Sequence, residues 1–165
     1  MRVCYFGKYD PEYDRNAIIR AGLEANGVSV LECRIEQGYL AQQYISLWRA
    51  CHRTNLRGAH AIIAAEFNHF VVPLAWWFAL RWGIPLLVDP LVSRYDMNVY
   101  DRRFLHPHSW RARRQWWIDW LAFHLAHILI ADTHLRFSGF ITPVSTCGIG
   151  RCEISSGGAG NWATR

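Results

Sequence analysis

Short apolar runs alternate along the chain with longer segments in which apolar residues recur every three or four positions. Short runs of branched residues are typical of strands buried on both faces, and the longer period is typical of helices that pack on one side. Strands are predicted at residues 2–6, 28–33, 59–65, 84–88 and 128–131. Helices are predicted at about residues 16–26, 39–52 and 70–82 and from Ser109 onward. The alternation predicts an α/β fold: a Rossmann-like parallel sheet of about five strands with helices on both faces.

Two of the predicted helices begin at a residue that can cap the free amides of the first turn. Asp14 is predicted to cap the first helix, and Ser109 is predicted to cap the last long helix. In that last helix Trp117, Leu121 and Leu125 share one face. We expect this face to pack on the sheet, because the apolar stripe of a helix usually points to the core.

The segment from Gly83 to Arg103 changes from apolar to polar at one residue, Asp89. The run before Asp89 predicts a buried strand, and Pro90 prevents a simple continuation because proline has no amide hydrogen to donate. Many polar and charged residues follow. Ligands bind beyond the carboxyl ends of the strands in an open parallel sheet, so this segment is predicted to border a binding site.

Polar residues also follow the other predicted strands. With the segment just described, they form five groups at residues 7–16, 34–37, 66–69, 89–103 and 132–134. If the strands are parallel, all five groups meet at one edge, where helix N-termini also attract anions. This predicts a ligand-binding edge. The alternative is that these residues are polar only because loops are exposed to water.

Length and charge narrow the class of protein. A chain of 165 residues with 52% hydrophobic and 19% charged residues fits one folded domain and excludes the disordered class. The net charge of +5 comes from arginine, since Lys8 is the only lysine. Guanidinium groups bind phosphate in a bidentate manner, so nucleic acid, phospholipid and nucleotide phosphates are all compatible partners at this point.

The cysteines and the apolar segments indicate the compartment. Cys4 and Cys33 lie in apolar runs and the total of five is odd, so we expect buried, reduced thiols and a reducing compartment. Cys147 and Cys152 have no second pair beside them, so no metal site is predicted.

No secretory signal is expected at the N-terminus. Residues 70–88 are the most apolar span, but prolines, a glycine and an arginine interrupt it, so no membrane-spanning segment is predicted.

The alternation of strand and helix stops after about residue 135. Residues 136–165 hold half of the glycines and show neither a helical nor a strand period. Gly148 and Gly150 begin a pattern like the dinucleotide-binding fingerprint, but Glu153 stands where its third glycine would be. We therefore divide the chain into a Rossmann-like domain at residues 1–134 and an irregular tail at residues 135–165.

Four segments carry a resemblance to a known family: RVCYFGKYDPEYDRN, NHFVVPLAWWFAL, PLLVDPLVSRYDMNVYDRR and ILIADTH. They resemble the N-terminal domain of family-4 glycosyltransferases of the GT-B fold, and the likeness extends from Met1 to about His134. The family usually carries glycine where Asn68 stands, and asparagine also tolerates the left-handed backbone that glycine adopts.

The resemblance implies one half of an enzyme that transfers a sugar from a nucleotide-sugar donor to an acceptor. In this family the N-terminal domain largely holds the acceptor, and a second Rossmann-like domain binds the donor. Nothing after His134 resembles that second domain. We therefore expect a chain truncated after about residue 134 and inactive by itself, with a tail that is out-of-frame or disordered. No cofactor is implied.

The resemblance also implies roles for individual residues. His69 and Asp89 would be the catalytic residues, because a histidine or a carboxylate can take the proton of an acceptor hydroxyl; the donor phosphate is the alternative base. The structural alternative is a capping or buried polar residue for His69 and a loop cap for Asp89. The expected acceptor- and donor-binding residues are Gly7, Arg15, Asn16, Asn68, Asp96, Arg102 and His134. No metal ligand is implied.

A second group of residues combines arginine with tryptophan around the last long helix. It consists of Arg102, Arg103, Arg111, Arg113, Arg114, Trp110, Trp116, Trp117 and Trp120. Arginine binds lipid phosphate and tryptophan lies at the level of the headgroups, so this group suits an anionic membrane surface. The alternative is an ordinary core helix.

Three functions follow, in order of preference: part of a glycosyltransferase, a stand-alone nucleotide- or phosphate-binding Rossmann-like module, and a basic protein that binds a membrane surface or nucleic acid. The first accounts for the polar residues after several strands. A basic binder needs only the arginine-rich helix and would bind with a strong salt dependence. The expected location is the cytoplasm or the inner face of the cytoplasmic membrane, and no nucleic-acid partner is expected.

Overall fold

The structure, a computed structural model, describes residues 1–36, 38–54, 56–131, 145–148 and 151–153. Its sheet contains five parallel strands: β1 (Arg2–Lys8), β2 (Ser29–Ile35), β3 (Ala61–Ala64), β4 (Leu86–Val88) and β5 (Ile128–Ala131). These strands are paired in the order β2-β1-β3-β4-β5. The predicted α/β, Rossmann-like fold is therefore confirmed.

Helices connect the consecutive strands. They are α1 (Asp14–Ala25), α2 (Leu40–Thr54), α3 (Val72–Trp82), the short α4 (Arg94–Asp96) and α5 (Trp110–Leu125). A turn of 3-10 helix at His69–Val71 precedes α3, and α4 continues into a π-helical turn at Met97–Asp101. Such π-helical turns are rare and occur frequently at functional sites.

Helices cover both faces of the sheet, because side chains alternate along each strand. Cys4 and Phe6 of β1 belong to the larger core, to which α2, α3 and α5 contribute. Val3 and Tyr5 point to the other face and belong to the smaller core, where apolar side chains of α1 pack. The thiols of Cys4, Cys33 and Cys51 are free and buried, which confirms the expectation for the first two.

The helix ends agree with the predictions in one case and not in the other. The Ser109 hydroxyl accepts a hydrogen bond from the Ala112 amide at 3.2 Å, so the predicted cap of α5 is confirmed. The predicted cap of α1 is wrong, because Tyr13 holds the cap position without a side-chain bond and Asp14 is the first helical residue. The Asp14 carboxylate still lies at the positive end of the helix dipole.

The prediction that Trp117 and Leu121 pack on the sheet is also wrong. They are 56% and 40% exposed, and only Leu125 of the predicted face packs against the core. The helix instead buries Ala112, Asp119, Ala122 and Phe123. Small alanines let α5 approach the core closely, and the apolar stripe of large residues therefore points to solvent.

Two strands lie in the stretch where we expected no regular structure. β6 (Ser145–Gly148) pairs in parallel with β5, and β7 (Arg151–Glu153) pairs antiparallel to β6. Neither strand is a run of branched apolar residues, which is the signal by which the other short strands were recognised in the sequence. The remainder of residues 135–165 lies outside the described residues. The expectation of a truncated chain with an out-of-frame or disordered tail therefore stays a prediction.

In the described part of the chain, no helix is long and apolar enough to cross a membrane.

Gly7 is the position in β1 at which a side chain is least tolerated. Its φ is +133°, and a Cβ built there would lie 2.6 Å from the Asn68 side chain. We predict that Gly7→Ala lowers the free energy of unfolding by roughly 1–3 kcal/mol from backbone strain alone, with the steric overlap adding to this loss. Urea denaturation followed by circular dichroism measures the change.

The matched control is Gly22→Ala in α1, where a Cβ meets nothing within 4 Å. Alanine in the middle of a helix stabilises by roughly 0.5–1 kcal/mol relative to glycine, so this variant should unfold at higher urea than the wild type. A Gly7→Ala variant as stable as the wild type would contradict the close approach of β1 to Asn68.

Candidate functional site

A cleft lies where the order of the strands reverses. β1 pairs with β2 on one side and β3 on the other, and α1 and α3 leave these neighbouring strands on opposite faces. This arrangement opens a crevice beyond the carboxyl ends of β1 and β3. The crevice is a cleft of about 700 Å³ whose lining includes Lys8, Arg34, Glu66, Asn68 and Arg94. It is the candidate functional site.

The Asn68 amide joins the two strand ends that form the floor of the cleft. Its Oδ1 accepts from the Lys8 amide at 2.7 Å, and its Nδ2 donates to the Lys8 carbonyl at 3.0 Å and to the Glu66 carbonyl at 2.8 Å. The φ of Asn68 is −88°, so asparagine is not used here for a left-handed backbone. The left-handed residue is its neighbour Phe67, with φ of 56°, a strained conformation of the kind found at functional sites.

Asn16, a completely buried residue, connects α1 to the end of β3 through hydrogen bonds of its side chain. Its Oδ1 accepts from the Tyr5 hydroxyl at 2.8 Å, and its Nδ2 donates to the Asp10 carbonyl and to Glu66 Oε1, both at 2.8 Å. The Tyr5 hydroxyl stays protonated as the donor because burial raises its pKa. Asn16 therefore fixes the loop after β1 and orients the Glu66 carboxylate.

The Glu66 carboxylate is the acidic group best placed for chemistry in the cleft. The residue is 7% exposed and lines the cleft, and its Oε2 has no hydrogen-bond partner among the described residues. Burial raises the pKa of Glu66 above its ordinary value. A carboxylate in this condition can accept a hydrogen bond from a ligand hydroxyl and can take up a proton more readily than an exposed one.

Asp89 forms an ion pair with Arg15 instead of facing the cleft with free oxygens. Arg15 Nε donates to Asp89 Oδ2 at 2.7 Å and Arg15 Nη2 donates to Oδ1 at 2.8 Å. Asp89 is completely buried, and its Oδ1 also accepts from the Leu91 amide at 3.3 Å. Asp89 therefore connects α1 to the end of β4. Both of its oxygens are bonded within the protein, and its catalytic role stays a prediction.

His69 is buried beside Asp119 and Phe123. Its Nε2 lies 3.9 Å from Asp119 Oδ1, beyond hydrogen-bond distance, and neither ring nitrogen has a partner among the described residues. Burial, with the nearby Arg94 charge, lowers the pKa of His69 to about 3. The imidazole is therefore neutral and packed edge-on against Phe123, at 5.8 Å between ring centroids. The predicted catalytic role is untested, and this location matches the buried polar alternative.

Asp119 of α5 holds the loop that follows β4. Its Oδ2 accepts from the Ser93 hydroxyl and from the Tyr95 amide, both at 2.8 Å. Burial raises the pKa of Asp119 to about 6. These contacts place Arg94, the residue between the two donors, so that its guanidinium lies over the Phe70 ring at 4.9 Å from the centroid. Arg94 Nε is buried without a hydrogen-bond partner among the described residues.

Three cationic side chains line the cleft: Lys8, Arg34 and Arg94. Arg34 lies 3.7 Å from both Glu32 and Glu36, so its charge is shared with two carboxylates. In the part of the chain that is described, no carboxylate lies within 4 Å of the Lys8 or Arg94 charge. These two cations are therefore available to an anionic ligand.

The predicted binding residues are found in different places. Gly7, Asn16 and Asn68 meet at the ends of β1 and β3, and Arg15 lies beside them. Asp96 lies on α4, where its amide donates to the Ser93 hydroxyl, and Arg102 is exposed after the π-helical turn. Neither of these last two lines the cleft. His134 lies outside the described residues.

Three residues that define the cleft, Lys8, Glu66 and Arg94, lie in the polar groups predicted to meet at the edge of the sheet, but the sequence assigned them no individual role. Two of them had a signal in the sequence, since Lys8 is the only lysine and Glu66 directly follows a predicted strand. The position of Arg94 depends on contacts with Asp119, which lies 25 residues further along the chain and gave no such signal.

The described residues contain no group of three or more His, Cys, Asp or Glu side chains placed to hold a metal ion.

Comparison of this chain with models of known protein families and with curated proteins finds no match. The functional argument therefore depends on the fold, on the geometry of the cleft and on the resemblance carried by the four sequence segments.

We predict that the buried Asp89 carboxylate destabilises the fold when Arg15 is removed from it. Arg15→Met leaves a buried carboxylate without its cation, and breaking a buried pair in this way costs about 3–5 kcal/mol. The double variant Arg15→Met with Asp89→Leu removes both charges, so its free energy of unfolding should lie closer to the wild type than that of Arg15→Met. Urea denaturation of each variant tests this.

The matched control is the more exposed pair of Arg20 and Glu32, whose side chains are 25% and 33% exposed. Arg20→Met should cost less than about 1 kcal/mol, because solvent screens such pairs. Equal losses in Arg15→Met and Arg20→Met would show that the first pair has no special role.

We also predict that His69 makes the fold less stable in acid. Its pKa is about 3 in the folded protein against the ordinary 6.5, so between these values only the unfolded chain binds the proton. The stability that the neutral His69 contributes to the fold is complete above its ordinary pKa. It is lost as the pH falls toward the pKa of His69 in the folded protein. From about pH 7 to about pH 5 the wild type should lose about 2 kcal/mol more than His69→Gln.

Comparing variants is necessary because Asp119 acts in the opposite direction. Its pKa is raised from 3.8 to about 6, so between these values the folded state binds the proton and lower pH stabilises the fold. The control is His108→Gln, which changes an exposed histidine and should follow the wild type. If His69→Gln has the same pH dependence as the wild type, His69 does not titrate as described.

Proposed function

We propose that this chain is the acceptor-side half of a glycosyltransferase of the GT-B fold, which transfers a sugar from a nucleotide sugar. The single observation that carries the proposal is the polar cleft at the reversal point between β1 and β3, lined by Glu66, Asn68, Lys8 and Arg94. Its volume of about 700 Å³ suits a small polar ligand, since such sites measure roughly 300–1,000 Å³. The resemblance of four segments to family-4 enzymes supplies the reaction class.

The proposed acceptor site depends on the carboxylate and the cations of the cleft. In sugar transfer, an acceptor hydroxyl oxygen bonds to the anomeric carbon, the bond from that carbon to the diphosphate breaks, and the hydroxyl proton passes to a base. The free Oε2 of Glu66 is suited to accept a hydrogen bond from that hydroxyl. Lys8 and Arg94 are suited to a phosphate on the donor or the acceptor. The nucleotide sugar itself would be held mainly by a second domain.

A second candidate function is a stand-alone module that binds a nucleotide or another phosphate compound. The observation that favours it is the pair of cations, Lys8 and Arg94, whose charges have no carboxylate within 4 Å among the described residues. In such a module the phosphate would contribute most of the affinity, and neutral sugars would bind poorly. The ligand preference of the cleft therefore separates the two functions.

The test titrates the chain with neutral glycosides and with nucleoside diphosphates, using isothermal calorimetry. We predict that at least one neutral glycoside binds, and that Glu66→Gln weakens this binding by about tenfold, the effect of one hydrogen bond to a charged group. The control is Glu24→Gln, an exposed position on α1 that lies away from the cleft. It should leave the affinity unchanged.

Binding of nucleoside diphosphate alone, weakened by Lys8→Met and by Arg94→Met but not by Glu66→Gln, would replace the proposal with the phosphate-binding module. Failure of folded protein to bind either class would contradict both functions.

A further inference from the structure

The exposed face of α5 carries an apolar stripe with arginines on both sides. Trp110, Trp117 and Leu121 are separated by seven and four residues, which places them on one side of a helix. Their exposed fractions are 74%, 56% and 40%. At 100° per residue, Arg113 and Arg114 lie on the two flanks of this stripe, and both are exposed. The stripe is therefore apolar at its centre and basic at its edges.

The loop before α5 extends this surface. Phe104 is 72% exposed, and the Asn98 side chain donates to Gln115 Oε1 at 3.0 Å, which fastens the loop to the helix. Pro107 lines two shallow depressions, one beside Trp117 and one beside Arg103, so loop and helix form a continuous surface. We call this the aromatic-arginine surface; it comprises Phe104, Trp110, Arg113, Arg114, Trp117 and Leu121.

The charge of this region is strongly one-sided. Residues 97–125 contain five arginines and two carboxylates, and one of these carboxylates, Asp119, is completely buried. Asp101 is thus the only exposed carboxylate of that segment. The segment therefore has a net charge of +3, against +5 for the whole chain, and the aromatic-arginine surface lies in this basic region.

We propose that the aromatic-arginine surface docks on the headgroup region of an anionic phospholipid bilayer. Tryptophan is favoured at this depth, and arginine keeps its guanidinium at the phosphates while its methylene groups lie along apolar surface. Leu121 favours a bilayer over nucleic acid, because a leucine side chain gains contact with acyl chains but provides no ring for base stacking. The occupant inferred is therefore a membrane surface.

Docking in this way would bring the cleft close to the lipid. Arg94 lines the cleft, and the adjacent Tyr95 lines the depression beside Trp117, so the two sites share the same short loop. This inference does not depend on the proposed reaction, because it needs only the exposed side chains of one surface.

The experiment is co-sedimentation of the full chain with vesicles. One set contains phosphatidylcholine alone, and another contains about 30 mol% phosphatidylglycerol to supply the anionic charge. We expect binding to the anionic vesicles only, with an affinity that falls at least tenfold as salt rises from about 0.1 M to about 0.5 M. Trp110 and Trp117 should be quenched by lipids brominated near the headgroup.

Two variants test the two components of the surface. Arg113→Gln with Arg114→Gln removes charge, and Trp110→Ser with Trp117→Ser removes the aromatic anchors; each double variant should bind at least tenfold more weakly. The matched controls are Arg49→Gln with Arg53→Gln, on the exposed side of α2, and Tyr39→Ser, which is 85% exposed. Both controls should bind like the wild type, and circular dichroism confirms that each variant is folded.

Equal binding by the surface variants and the controls would overturn the proposal, as would binding to uncharged vesicles of equal strength. Tight binding to a single-stranded oligonucleotide, with no binding to anionic vesicles, would assign the surface to nucleic acid instead. A salt-dependent vesicle affinity lost only in the surface variants supports it.

Discussion

The position of α1 over the carboxyl edge depends on the ion pair between Arg15 and Asp89. Asp89 has no exposed surface, so its charge is tolerated only because the guanidinium makes two bonds to it, at 2.7 and 2.8 Å. The next residue, Asn16, bonds Glu66 from the same helical turn. Two consecutive side chains thus join α1 to the ends of β4 and β3. The loop at residues 9–13, which contributes a wall of the cleft, is held in place through them.

This arrangement separates the groups that build the edge from those that are free to meet a ligand. Asp89 accepts hydrogen bonds at both oxygens from within the protein, and His69 is neutral, enclosed and without access to the cleft lining. Glu66 differs, because only one of its oxygens is bonded and the residue lines the cleft. A buried polar group with one free acceptor at a concave surface can bind a ligand hydroxyl. Glu66 is therefore a more suitable partner for such a hydroxyl than Asp89 or His69.

The fold was predictable because buried strands and packing helices leave different periods in the sequence, and β5 at Ile128–Ala131 was located without error. The pairing of buried charged side chains was not predictable, since Arg15 and Asp89 are 74 positions apart and no local pattern connects them. The direction of α5 was also missed. Trp117 and Leu121 form an apolar stripe, but Ala122 and Phe123 form another, and only packing against the sheet decides which is buried.

Asp119 links the cleft to the aromatic-arginine surface from beneath. Asp119 Oδ2 accepts hydrogen bonds from both the Ser93 hydroxyl and the Tyr95 amide. Arg94, which lies between these two residues, lines the cleft, and Tyr95 lines the depression beside Trp117. The loops that border the cleft and the aromatic-arginine surface therefore share one buried hydrogen-bond acceptor, the Asp119 carboxylate.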